Sequence, residues 1–395
     1  MSSSVTLSAA TRQNLLSLQD TSALTSTTQN RLATGLKVSS ALDSPVNFFT
    51  AQAFTSRSGD LSGLLDSISN GVQTIQAANQ GITSIQKLID SAKSTANQAL
   101  STQITTTGTA STEFAPSANT ISFYVNGDLK TATLTATDTI DVAIASLNTA
   151  AGGTMFSKDT SGKKIVLNAS ADVEFKTAAD QTNLGFDAGS TTTADRYGTG
   201  NDVISQSPNL TVAGVESRKK LGEQFNSLLI QITQLAKDAS FNGVNLIANG
   251  DPSNKLHIAF NEKDTANLDI QGQDLTSDGL GLETIVGDSG ATPDGKGNFL
   301  LNTDIKTTLS SLGTASDTLR AASSTYGSNL SVVQNRQDFT KRLVNILDTG
   351  AANLTNADLN EEAANSQALS TRQSLGISAL SLANQAQQGI LQLLR

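Results

Sequence analysis

Residues 61–99 read L-S-G-L-L-D-S-I-S-N-G-V-Q-T-I-Q-A-A-N-Q-G-I-T-S-I-Q-K-L-I-D-S-A-K-S-T-A-N-Q-A, and they decide the fold class. Leu61, Leu65, Ile68, Val72, Ile75, Ala78, Ile82, Ile85, Ile89, Ala92, Ala96 and Ala99 recur at intervals of three and four. That spacing puts them on one stripe of an α-helix, the seam of a coiled-coil-like element. Asp43 or Ser44 can cap its start, with Pro45 at the first helical position, where the missing N–H costs nothing. A helix from 45 to 100 is expected to be roughly 80 Å long at about 1.5 Å per residue, which makes this section a rod. Gly63, Gly71 and Gly81 each weaken such a helix by up to ~1 kcal/mol relative to Ala, so tertiary packing must hold it. Spacing alone leaves a compact four-helix bundle open as the alternative.

Two further segments repeat the pattern. One carries Leu221, Phe225, Leu228, Ile232, Leu235 and Ala239; the other runs from Ile305 through Leu309, Leu312, Leu319, Tyr326, Leu330, Val333, Val344 and Leu347, diluted by Ser316, Ser323, Gln337 and Thr340. The rod core is therefore expected at Ile68, Val72, Ile75, Ile82, Ile85, Phe225, Leu228, Ile232, Leu235, Leu330 and Val333. Both ends of the chain are also helical and apolar on one face. Leu15, Leu18, Leu32 and Leu36 stand in a Ser/Thr/Gln background near the start. Residues 359–395 carry Leu380 and close on Ile390, Leu391 and Leu394 before Arg395. A lone chain has no evident way to bury these tips, so they are expected to form an assembly interface. Gly35 and the Ser39-Ser40 pair mark a break between the first helix and the rod.

Between 101 and 209 the composition turns to Thr, Ser, Ala and Gly with short β-like runs. Ile121 to Val125, then Asn126-Gly127, then Lys130 to Leu134 reads as a hairpin. Asp138 begins a short helix carrying Ile140, Ile144 and Leu147, and strands follow near Lys164 to Leu167 and Val173 to Lys176. The predicted architecture is mainly α: a helical rod with a small β-hairpin section at Lys255 to Phe260 and Asn267 to Gln271, plus one inserted α+β domain of order β-β-α-β-β. The expected division is 1–40, 41–100, 101–209 (the insert), 210–355 and 356–395.

Composition narrows the function classes. The 395 residues exceed one ordinary core, so two or more domains are expected. Lys+Arg 26 against Asp+Glu 35 gives a net charge of −9, which disfavours nucleic acid and anionic membranes as partners. The absence of Cys removes disulfides, thiolate catalysis and Cys-based metal sites. Residues 1–20 hold Arg12 as their only basic residue and no continuous apolar run, and no stretch elsewhere approaches the ~20 apolar residues of a membrane span, so these features alone predict a cytosolic chain.

The catalytic inventory is thin. His257 is the single histidine and reads as a solvated strand residue, since no second His or Cys can complete a familiar transition-metal site. The Gly-rich stretches 185–200 and 279–297 lack phosphate-loop spacing and read as loops. Glu361-Glu362 reads as a solvated or inter-subunit helix face. Asp138, Asp141, Asp172 and Asp180 could hold Ca²⁺ only if the fold gathered them. No nucleophile, base and orienting group can be nominated, and neither an enzymatic activity nor a cofactor is expected.

Arg31-Leu32-Ala33-Thr34-Gly35-Leu36-Lys37-Val38-Ser39-Ser40-Ala41 with Asp43 resembles the R-L-S-S-G-L-R-I-N-S-A-K-D signature of bacterial flagellins. Leu382-Ala383-Asn384-Gln385 and Leu391-Gln392-Leu393-Leu394-Arg395 resemble the flagellin ending, and Phe241-Asn242-Gly243-Val244-Asn245-Leu246 resembles its F-N-G-V-K-L turn. The insert is similar to the insertion found in flagellin outer domains. The resemblance implies a self-assembling filament subunit whose terminal helices pair into an inner tube, with the rod around them and the insert facing outward. It also implies export through the flagellar type III apparatus with a secretion chaperone, an extracellular filament, and cap and hook-junction proteins as partners. That reverses the cytosolic expectation; a Cys-free chain that travels unfolded is consistent with it.

The chain also departs from the family pattern. Asp43-Ser44-Pro45-Val46-Asn47 stands where the family has D-D-A-A-G, so the entrance to the rod helix is expected to bend differently. Gln86-Lys87-Leu88-Ile89-Asp90-Ser91-Ala92 occupies the place of the Q-R-x-R-E-L-A segment read by the innate flagellin receptor, and Ile89 and Ser91 predict weak recognition. The insert precedes the second rod helix, whereas the usual site, near 283–300 here, holds a short Gly-rich loop. A hook–filament junction protein with flagellin-like ends is the alternative to a filament subunit.

Overall fold

The computed structural model describes residues 9–189, 207–285 and 299–393. The apolar stripe at 61–99 lies in one helix, α2 (Pro45–Ser101), which follows α1 (Ala9–Thr34). The other long helices are α5 (Val215–Asp238), α6 (Asn302–Thr355) and α7 (Leu359–Leu393). The chain divides into two compact units, and both α2 and α6 run through the two.

The first unit comprises residues up to 69, 259–267 and 334 onward. In it α1 packs along α7, and the start of α2 lies beside the end of α6. Ser58 Oγ donates to Asp348 Oδ1 at 2.6 Å, and Gly350 lets the Phe54 ring approach so closely that a Cβ would stand 3.3 Å from it. Residues 259–267 rest on the same helices through Arg57–Glu262 (3.4 Å) and through the Arg336 guanidinium, 5.6 Å above the Phe260 ring.

The second unit holds residues 70–258 and 268–333. Val72, Ile75, Ile82, Ile85 and Ile89 of α2 are buried with Leu312, Leu319, Tyr326 and Val333 of α6; Gln86 Nε2 donates to Ser316 Oγ at 2.7 Å across that seam. Ile68, at the edge of the first unit, is fully buried as well. On α5 the buried stripe is Leu221, Phe225, Leu229, Ile232 and Ala236, while Leu228 and Leu235 are half-buried. Phe225, stacked T-shaped on Phe299 with 5.3 Å between centroids, lies on both the expected and the observed stripe, which part at 228/229 and 235/236. Leu330 is likewise half-buried, because Tyr326 and Val333 fill the core on either side of it.

Gly71 and Gly81 of α2 have a packing cause, whereas a Cβ on Gly63 would meet open space. A Cβ on Gly71 would lie 2.6 Å from Ile258 Cδ1, and one on Gly81 would lie 2.6 Å from Ile247 Cδ1 and 2.7 Å from Ala239 Cβ. Helix propensity is given up at these positions so that the neighbouring turn and strand can seat against α2.

The insert forms its own core but has more elements than β-β-α-β-β. It contains β1 (Thr105–Thr109), β2 (Asn119–Val125), β3 (Asp128–Leu134), α3 (Ile140–Ala151), β4 (Phe156–Lys158), β5 (Ile165–Ala169), β6 (Val173–Phe175), α4 (Ala178–Thr182) and β7 (Leu210–Ala213). Two antiparallel sheets result, β4-β5-β1-β7 and β3-β2-β6. The hairpin turn uses Asn126 (φ 50°) and Gly127 (φ 86°), a geometry in which Asn-Gly is favoured. Strand β1, T-T-T-G-T, has no apolar alternation to announce it. It is held centrally because buried Thr106 donates Oγ1–H to Ala171 O and accepts from Val173 N–H, each at 3.0 Å. Phe123, Phe156, Phe175 and Phe186 form the aromatic centre, with neighbouring rings 5.6–6.2 Å apart.

After α5, β8 (Ser240–Phe241) and β9 (Val244–Asn245) close the F-N-G-V turn on Asn242 and Gly243, both at positive φ. The second hairpin is β10 (Lys255–Ala259) with β11 (Asn267–Gln271). The buried Tyr326 hydroxyl ties these pieces to α6, donating to Leu246 O at 2.8 Å, with Gln271 O at 3.3 Å.

Candidate assembly surface

The terminal pair is held by its connectors. Gly35 ends α1 at φ 71°, and Leu36 forms an antiparallel bridge with Asn356. The amides of Lys37 and Val38 donate to Thr355 O (2.7 and 3.2 Å), and Ala357 N donates to Gly35 O (2.9 Å). Lys37 Nζ reaches Asn353 O at 3.1 Å near the end of α6, where a cation is favoured, and Arg31 Nη1 meets Glu362 Oε1 at 3.0 Å. Asp43 does not cap α2. Its carboxylate accepts from the backbone and hydroxyls of Ser39 and Ser40 (2.9–3.3 Å), and these bonds, the Ser40 amide first, hold its pKa below the ordinary carboxylate value.

Along α1 the residues turned away from solvent are Thr11, Asn14, Leu18, Thr21, Thr25, Thr28 and Leu32; along α7 they are Glu362, Ser366, Leu369, Gln373, Gly376, Leu380 and Ala383. Both sets alternate three and four, the heptad spacing of a coiled-coil seam. The seam is mostly polar or small. Thr21 and Thr25 can occupy it because each hydroxyl donates to the carbonyl four residues back (Ser17 O at 2.7 Å, Thr21 O at 2.8 Å), leaving the methyl free to pack. Six large apolar side chains point outward: Leu15, Leu16 and Leu24 on α1, and Leu375, Ile377 and Leu382 on α7, are 41–71% exposed.

The four leucines expected to share the α1 face are thus divided. Leu18 and Leu32 lie in the seam, Leu15 faces out, and Leu36 belongs to the connector. Leu380 is half-buried in the α7 seam; the side chains of Ile390 and Leu391, and Leu394 entirely, fall outside the described residues. Spacing does not single out the outward Leu16, Leu24, Leu375 and Ile377, because the inner face of α1 is marked by a threonine heptad that looks polar in sequence. Further outward apolar residues, Leu42, Val46 and Phe49 near the start of α2 and Phe339 and Ile346 on α6, belong to the same unit.

Elsewhere the described residues gather one buried charged group, Asp172 with Glu174 and Arg218, in which burial first and the Glu174 carboxylate second push the Asp172 pKa up. Asp138 accepts from Thr135, Asp141 pairs with Lys158 at 2.6 Å, Asp180 closes a capping box with Thr177, and Asp172 is buried apart from them. Among the described residues no three His, Asp or Glu side chains converge as a metal site would require, and no helix is long and apolar enough to cross a membrane. His257 stands on exposed β10 with Nδ1 2.5 Å from Asp269 Oδ1. Ile89, in the stretch compared with the receptor-read segment, is buried in the α2 seam, whereas Lys87 is exposed.

Residues 5–117 match the bacterial flagellin N-terminal helical region, and residues 309–394 match the bacterial flagellin C-terminal helical region. The chain belongs to the bacterial flagellin family. The two matches together cover about half of it and contain α1, α2, most of α6 and α7. Among similar flagellins, FljM of Caulobacter vibrioides is 34% identical over 185 residues, and FljK of the same organism is 31% identical over 185. Each alignment covers 47% of this chain and 63% of the relative. Flagellin C of Rhizobium meliloti is 27% identical over 235 residues, 49% of this chain and 73% of that protein. The β1–β7 insert lies largely between the two matched regions.

Proposed function

We propose that this flagellin is a non-catalytic structural subunit that polymerises through its paired terminal helices into the extracellular flagellar filament used for motility. The observation that carries this reading is the inverted α1/α7 pair, in which Leu15, Leu16, Leu24, Leu375, Ile377 and Leu382 face outward. Covering each such side chain contributes roughly 1.5–3 kcal/mol, and only other copies supply a matching, repeated surface. On this reading residues 1–40 and 356–395 form the inner layer, 41–100 and 210–355 the surrounding layer, and the insert at 101–209 the outer face. The export apparatus, a secretion chaperone, the filament cap and hook-junction proteins are its partners.

The test is to add ammonium sulfate, which strengthens apolar burial, to the purified chain and to a version lacking residues 1–40 and 356–395, and to examine both by electron microscopy. Long, uniform filaments from the full chain alone are expected. Short irregular oligomers would instead favour a protein that sits at the hook–filament joint.

A further inference from the structure

The seam between α1 and α7 determines its own alignment poorly. Displaced by one heptad, about 10 Å at 1.5 Å per residue, it would again set mostly small and polar residues, with Leu18, Leu32, Leu369 and Leu380 scattered among them, against one another, so apolar burial discriminates little between registers. The connector bonds at Leu36–Asn356 and Gly35–Ala357 hold one end of the pair, and along the seam itself two features break that degeneracy. One is a steric fit, in which Leu18 lies so close to Gly376 that a Cβ there would stand 3.0 Å from Leu18 Cδ1. The other is Arg31–Glu362, the ion pair joining the two helices among the described residues.

That pair is not built for stability. Glu362 is buried, with its side chain 9% exposed, and its Oε2 has no hydrogen-bond partner, whereas Arg31 is 41% exposed. A buried carboxylate with one oxygen unsatisfied loses in desolvation much of what the Coulomb attraction returns, and the best-attested use of such groups is to select one register among several. It also sits at the connector end of the pair, five and six residues from the Leu36–Asn356 bridge, where a heptad slip would leave Glu362 buried and unpaired.

We propose that Arg31–Glu362 is the register key of the terminal helix pair, fixing the height at which each subunit presents its outward leucines to the next copy. The consequence for polymerisation rests on the filament reading above; the register itself does not. A subunit keyed one heptad out carries Leu16 and Leu375 at mismatched levels and cannot join a regular lattice.

The absence of native Cys makes the register directly measurable on the full chain. In dilute monomer, Thr28→Cys with Ser366→Cys reports the keyed register, and Thr21→Cys with Ser366→Cys reports a slip of one heptad. With Arg31 and Glu362 intact, the first pair is expected to crosslink at least tenfold more than the second. Arg31→Glu is expected to abolish that preference and the filaments together, and Arg31→Glu with Glu362→Arg to restore both. The apolar pair Arg31→Met with Glu362→Leu is expected to keep the helices packed but lose the preference. An unchanged preference in Arg31→Glu or in the apolar pair, or no recovery in the charge swap, would overturn the proposal. If the native chain shows the preference yet forms no filaments, the key stands and the filament reading falls.

Discussion

The insert and the terminal helices solve opposite problems. The insert turns four phenylalanines inward between two small sheets and α3, so its apolar surface is spent within its own fold. The α1/α7 pair turns threonine, glutamine and serine inward and leaves Leu16, Leu375 and Leu382 in solvent. The first arrangement is that of a domain stable alone, and the second is that of half an interface. Amphipathicity by itself therefore does not say which side of a helix is the inside; the partner that covers the leucines decides it.

The largest effect should come from removing the outward face. Leu16→Asp, Leu375→Asp and Leu382→Asp together forgo roughly 1.5–3 kcal/mol of burial per site, which raises the concentration needed for polymerisation more than a thousandfold. Sedimentation and microscopy should find no filaments, while thermal unfolding of the insert stays within 1–2 °C of the parent. Filaments of normal length from this triple variant would break the comparison. Conversely, Phe123→Ala should lower the insert's stability by roughly 3–5 kcal/mol through the cavity it leaves among Phe156, Phe175 and their neighbours. Filament formation should survive at temperatures where the insert remains folded. Loss of filaments at 10 °C would mean that the insert takes part in polymerisation.

Much of this architecture was legible because periodicity reports burial. Helices α2 and α7 and both β-hairpins fall within about two residues of the positions read from sequence, α5 begins six residues before and α6 ends eight residues beyond the apolar runs that mark them, and α1 ends at the Gly35 break. What escaped was whatever depends on partners. Strand β1 is five residues of Thr and Gly made central by β5 and β7, and Thr106 earns its burial through hydroxyl bonds that no alternation announces. The α1 seam escaped for a related reason, since a threonine whose hydroxyl is satisfied by its own helix packs as a small apolar residue. Leu228 and Leu235 sit on the predicted stripe, but their neighbours Leu229 and Ala236 take the buried positions.

The smallest effect sharpens the contrast within the helical core. Tyr326 is fully buried, and burial pushes the pKa of its phenol from the ordinary value of 10.0 up to about 12. Below pH 10 the hydroxyl is protonated in both folded and unfolded chains, so it adds no pH dependence. Between pH 10 and 12 the unfolded phenol ionises while the folded one keeps its proton, and stability falls as pH rises. Tyr326→Phe removes the hydroxyl that binds Leu246 O and leaves that carbonyl with one donor fewer, so it should cost roughly 1–3 kcal/mol at pH 7. The same variant should lose part of the alkaline decline, so the two unfolding curves should converge between pH 10 and 12. Exposed α1 and α7 have no tyrosine to contribute such a step. Parallel curves across that range would mean that the phenol is solvated, and that the contact fixing the F-N-G-V turn against α6 is looser than its 2.8 Å hydrogen bond implies.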